Sequence, residues 1–96
     1  MRTSILQTFQ ATTTPTVVVG PSPNRFGLLL LSPAGTATVT VNTRPPSAEG
    51  DGMVLQAGSG PIQLSRAEHG DIVGQAWYFR SSSGNVAVSW IETVET

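Results

Sequence analysis

Apolar and polar residues alternate with a period of two along much of this chain. Residues 36–43 read Thr-Ala-Thr-Val-Thr-Val-Asn-Thr, and residues 85–91 read Asn-Val-Ala-Val-Ser-Trp-Ile. Successive side chains of a pleated strand point to opposite faces, so this alternation predicts half-buried strands. One turns Ala37, Val39 and Val41 toward a core, and the other turns Val86, Val88 and Trp90. Almost nothing repeats at helical spacing.

The remaining segments follow the same rhythm. Ile5, Gln7 and Phe9 open a strand that fades into Ala11 and three threonines, and Pro15 limits helix formation before Thr16-Val17-Val18-Val19. Gly20-Pro21-Ser22-Pro23-Asn24 is a loop. Residues 25–32 are the most apolar, with Phe26, Leu28 and Leu30 on one face and Gly27, Leu29 and Leu31 on the other. A strand apolar on both faces is central between layers or covered by a neighbouring chain. Residues 32–35 are short enough for a hairpin into 36–43. Paired prolines and small residues make 44–52 the candidate projecting loop. Short strands are predicted at 53–57 and 62–65, then a single helical turn or bend at 66–70. Residues 75–80, Gln-Ala-Trp-Tyr-Phe-Arg, turn through 81–85 into a final strand, predicting a hairpin in which Trp77 and Phe79 meet Val86, Val88 and Trp90. These join Leu28, Leu30, Val39 and Val41 as the expected core. About eight short strands make one all-β domain, a single antiparallel β-sandwich of jelly-roll or β-tulip type over residues 15–96, preceded by an extended N-terminal arm, 1–14.

Composition narrows the function. Only 11% of the residues are charged, against about 25% in ordinary soluble domains. Thr, Ser and Gly fill the polar positions, and such a surface is weakly repelled by its own copies. With five arginines, no lysine and a formal charge of −1, the chain lacks the basic field that nucleic-acid binding requires. No cysteine is present, which excludes a disulfide framework, a thiol nucleophile and thiolate metal sites. The N-terminus has no continuous apolar stretch of a secretory signal, and the longest apolar run is too short to span a bilayer. No membrane partner is expected, and a passage out of a cell would take another route, such as release inside a particle.

Little catalytic material remains. His69, in Glu68-His69-Gly70-Asp71, is the single histidine, and the serine it would need for hydrolysis, Ser59 in Gly58-Ser59-Gly60, lacks the Gly-x-Ser-x-Gly elbow. Glu49, Asp51, Glu68 and Asp71 are loop acids that could meet around calcium, but their spacing matches no EF-hand loop. No catalytic residue, cofactor or metal site is therefore assigned. If Trp77 and Phe79 are core, Tyr78 lies on the outer face beside Arg80, where it could stack on a sugar or anchor a protein contact. The arginines, Arg2, Arg25, Arg44, Arg66 and Arg80, stand singly at strand ends and loops. That spacing suits bidentate pairs, with carboxylates of neighbouring subunits or within the chain.

From Arg25 onward the chain resembles small structural proteins encoded near the capsid genes of tailed bacteriophages. The resemblance rests on Arg25-Phe26-Gly27-Leu28-Leu29-Leu30-Leu31, the alternating strand 36–43, the Pro/Gly loop, the Leu-x-Ala-Gly-x-Gly-Pro step at 55–61 and a closing Val-x-Val strand that ends in Glu92. It implies a non-enzymatic virion component, a cement or decoration protein on the capsid surface. Such a protein bridges major capsid protein subunits as a homo-oligomer, with a trimer favoured. The alternatives are a tail or head-fibre adaptor and a host-glycan-binding module. The expected interface residues are Ile5, Phe9, Arg25, Phe26, Leu29, Leu31, Arg44, Tyr78 and Arg80, with the N-terminal arm adding a strand to a partner's sheet.

Overall fold

The computed structural model describes residues 1–33, 36–48, 50–58 and 61–95. Among the described residues eight strands occur in chain order: β1 (Arg2–Ala11), β2 (Thr16–Val19), β3 (Arg25–Leu30), β4 (Val39–Asn42), β5 (Met53–Leu55), β6 (Ile62–Ser65), β7 (Trp77–Ser81) and β8 (Val86–Glu95). A single helical turn, α1 (Arg66–His69), and a 3₁₀ turn, Gly70–Gly74, stand between β6 and β7. The strands form two four-stranded antiparallel sheets, ordered β1-β8-β3-β6 and β2-β7-β4-β5. This is the jelly-roll order, in which the chain passes from one sheet to the other at almost every connection.

The expected strands are present, but two expected hairpins are not. β3 pairs with β8 and β6, while β4 lies in the opposite sheet, so the connection after β3 is an arch between layers. The closing pair is likewise split, with β7 between β2 and β4 and β8 between β1 and β3. Alternation fixes which face a residue occupies and leaves its strand's partner open. Trp77, Phe79, Val86, Val88 and Trp90 still meet in the core, but across the sandwich. The Phe79 and Trp90 rings stand edge-to-face with centroids 5.8 Å apart.

The core contains the residues the alternation predicts. Leu28, Leu30, Val39, Val41, Phe79 and Val88 are essentially inaccessible to solvent, Ala37 packs at the margin, and Leu55 and Val73, which the alternation does not single out, are equally buried. A bulge between Arg25 and Gly27, where β3 slips against β8, corrects the reading of β3. The extra residue takes Phe26 off the Leu28 and Leu30 face and lets Arg25 point inward with them.

Arg25 is 1% exposed. Its Nε donates to Glu92 Oε2 at 2.6 Å, one terminal nitrogen donates to the Val73 and Gln75 carbonyls at 2.9 Å each, and the other donates to the Gly20 carbonyl. One guanidinium thus fastens β3, β8, the chain leaving β2 and the 3₁₀ turn. Arg66 continues the network, giving hydrogen bonds to the Arg25 carbonyl, the Pro23 carbonyl and Asp71. Gly74 is required here, because a Cβ would sit 2.7 Å from the Ser22 carbonyl oxygen and 2.8 Å from the Arg66 guanidinium.

Arg25→Met should destabilise the fold by about 3–5 kcal/mol, the usual cost of stranding one member of a buried ion pair. Denaturant unfolding checks this, and a loss below about 1 kcal/mol would show that the network is dispensable.

Candidate assembly surface

The segment expected as an N-terminal arm is where β1 lies. Its ten residues run along β8 without a register break, from Arg2 opposite Glu95 to Ala11 opposite Val86. Outward-facing hydroxyls tie the two strands, Ser4 to Thr93 and Thr8 to Ser89 at 2.9 Å each. Arg2 bonds Glu95 at 2.9 Å and lies 3.6 Å over the Phe26 ring. Both ends of that ion pair are well exposed, so it orients the strand end more than it stabilises it.

β1 buries little of itself. Ala11 is in the core, while Ile5, Leu6 and Phe9 are 45%, 64% and 38% exposed. Ile5, Gln7 and Phe9 share the inward phase of Ala11, but the edge strand opposite, β2, has four residues and cannot roof a strand of ten. Among the described residues the far edge of β1 pairs with no other strand. Between Thr3 and Ala11 it carries no charge and no proline. The other three edges are short: β2 and β6 have four residues each and β5 three, and β2 is interrupted by a register shift. Short or bulged edges resist pairing with another chain, and long flat uncharged ones invite it.

The outer face of this sheet adds an apolar row. Leu6 stands opposite Ile91, and Ile91 opposite Leu29. Beside them Phe26, Gly27, Thr93 and Arg2 border a shallow dish of about 250 Å³. Leu6 and Ile91 were not expected from sequence. They become legible once β1 and β8 are paired, because both then fall in the outward phase with Leu29.

The predicted interface residues therefore divide. Ile5 and Phe9 lie along the open side of β1, and Phe26 and Leu29 on the outer dish. Leu31 follows β3, half-buried, its amide donating to the Ser89 carbonyl at 3.0 Å. Arg25 is no interface residue, being buried among its own chain's acceptors. Arg44 is spent within its own loop, donating to both Asp51 carboxylate oxygens at 2.8 and 2.7 Å. Arg80 reaches the Pro46 carbonyl at 3.3 Å, and Tyr78 is half-buried on the outer face of β7.

The loop expected to project is folded back on the second sheet. Pro46 is buried, the Gly50 amide donates to Thr40 Oγ1, and Asp51 also accepts from the Ser47 amide and hydroxyl. Gly52, at φ +142°, closes the loop where a Cβ would fall 2.4 Å from the Val41 carbonyl oxygen. Asp51 and Asp71 are each held by an arginine, and Glu49 lies outside the described residues. Among the described residues no three metal-ligating side chains come together. His69 Nδ1 accepts the Ser65 amide at 3.1 Å, a local tie across α1, and Ser59 lies outside the described residues. Among the described residues no helix is long and apolar enough to cross a membrane.

No protein-family model and no curated protein matches this chain. It is similar in fold to a solved protein of Bacillus endospore appendages, described as forming a novel family of disulfide-linked pili. The two share 12% sequence identity at a TM-score of 0.61, over 98% of this chain and 84% of the other. At that identity the likeness is one of fold. These 96 residues contain no cysteine, so the linkage named for that family has no counterpart in them.

The bidentate Arg44 contact, followed by the Ser47 amide, holds the Asp51 carboxyl well below the usual carboxylate range. A depressed folded-state pKa gives stability that is full above the ordinary value, near about 4, and is lost as pH falls toward the folded one. The stability difference between the parent chain and Asp51→Asn should be constant near neutrality and shrink with acidification. A difference unchanged into strong acid would contradict this reading of the loop.

Proposed function

We propose that this chain is a non-enzymatic structural subunit that works within an ordered assembly of protein copies. The observation that carries this reading is β1, a ten-residue edge strand with an open outer edge, no charge from Thr3 to Ala11 and three exposed large apolar side chains. An isolated monomer with such an edge risks uncontrolled aggregation, whereas a subunit uses it. The low charge density and the outer row of Leu6, Ile91 and Leu29 support the same role.

Two settings suit such a subunit. One is a cement protein on a phage capsid, in contact with the major capsid protein and arranged as a trimer, as the sequence resemblance implies. The other is an extracellular appendage, the structure built by the protein of similar fold. In either, no disulfide runs from these 96 residues to another copy, since they contain no cysteine. A glycan-binding module has less support, because Tyr78 is half-buried and Arg80 is engaged by Pro46.

Purified chain, followed by light scattering and negative-stain microscopy as concentration rises, should pass from monomer to defined oligomers or ordered assemblies. A monodisperse monomer at the highest concentration reached would overturn the proposal.

A further inference from the structure

We propose that β1 pairs antiparallel with β1 of a second copy of this chain, with Gln7 of each on a two-fold axis; this deepens the assembly reading and rests on it. The occupant follows from edge lengths. The other three edges offer three or four residues, so β1 laid on any of them would leave most of its outer backbone groups without partners. Another β1 is the edge of matching length.

The register follows from parity and side-chain pattern. Residues opposite one another in an antiparallel pair share a face and the direction of their backbone groups. In a strand paired with itself the numbers of facing residues must then add to an even sum. A sum of 14 engages residues 3–11. It sets Ile5 opposite Phe9 twice, Leu6 opposite Thr8 twice and Gln7 opposite Gln7, with no charge facing charge. A sum of 12 instead sets Ile5 opposite Gln7 and Phe9 opposite Thr3, and keeps a single apolar pair, Leu6 opposite Leu6. Aromatic and β-branched residues gain most when directly opposed, which favours 14.

The surroundings accept this pairing. A two-fold axis perpendicular to the sheet keeps both inner faces on one side, so the two Ile5 and two Phe9 side chains cluster where β2 leaves β1 unroofed. The product is one eight-stranded sheet, β6-β3-β8-β1 continued by β1-β8-β3-β6 of the partner. The outer row of Leu6, Ile91 and Leu29 stays free for a second kind of contact.

Because the chain has no cysteine, single-cysteine variants report the register directly. Residues opposite across an antiparallel pair have Cβ atoms about 4.5–5.5 Å apart, near enough for a disulfide. Under mild oxidation Gln7→Cys should form a covalent dimer, at least about ten-fold more than Leu6→Cys or Thr8→Cys alone, while a mixture of those two should cross-link to each other. Gln7→Lys, which sets like charges face to face at an exposed position, should weaken the dimer about five-fold without unfolding the monomer. If light scattering shows assembly but position 7 has no preference and Gln7→Lys has no effect, the β1 pairing is wrong and the subunit reading stands. If the parent chain stays monomeric at every concentration, both fail.

Discussion

The fold depends on a guanidinium placed where water cannot reach it. Burying a cation is tolerable only when its donors are met, and Arg25 meets Glu92 together with carbonyls of Gly20, Val73 and Gln75. Those acceptors belong to three segments besides β3 itself, so the node fixes how β3 and β8 sit relative to the chain after β2 and to the 3₁₀ turn. A hydrophobic residue could fill the same space but could not dictate that arrangement. The β3 bulge exists in the same place for the same reason, since without it Arg25 and Leu28 could not both face inward.

With one end of the sandwich fastened by this node, its open side at β1 stands out by contrast. The first sheet is held by a long pairing of β1 on β8, yet the inner face of β1 outruns the strand that should cover it. The second sheet has the opposite character, with short edges and a loop pinned over its outer face by Asp51. One sheet is finished as a surface, and the other ends in an edge that can still accept hydrogen bonds.

Much of this was legible in the sequence, and the rest was hidden for identifiable reasons. Alternation at Val39 and Val41, and at Val86, Val88 and Trp90, marked the strands and their inward faces because the pleat enforces a period of two. It does not name partners, so an arch between sheets has the same pattern as a hairpin. Arginine is usually a surface group, and periodicity alone gives no reason to bury Arg25. The signal against that lay in β8, where Glu92 continues the inward phase of Val88 and Trp90 and so calls for a buried cation. Arg44 and Asp51 lie seven residues apart across a turn whose path no periodicity predicts. Ile5 and Phe9 were legible as candidates on β1, whereas Leu6 and Ile91 needed the register between β1 and β8.

If copies pair through β1, its outer edge becomes hydrogen-bonded when they meet. Residue-resolved amide hydrogen exchange over residues 2–11, compared between dilute and concentrated chain, tests it most directly. Alternate β1 amides point toward β8, and the others point to the open edge. Pairing through β1 makes the second set exchange freely when dilute and become protected on assembly, while the first set is protected throughout. Assembly with the open-edge amides still exchanging freely would contradict it.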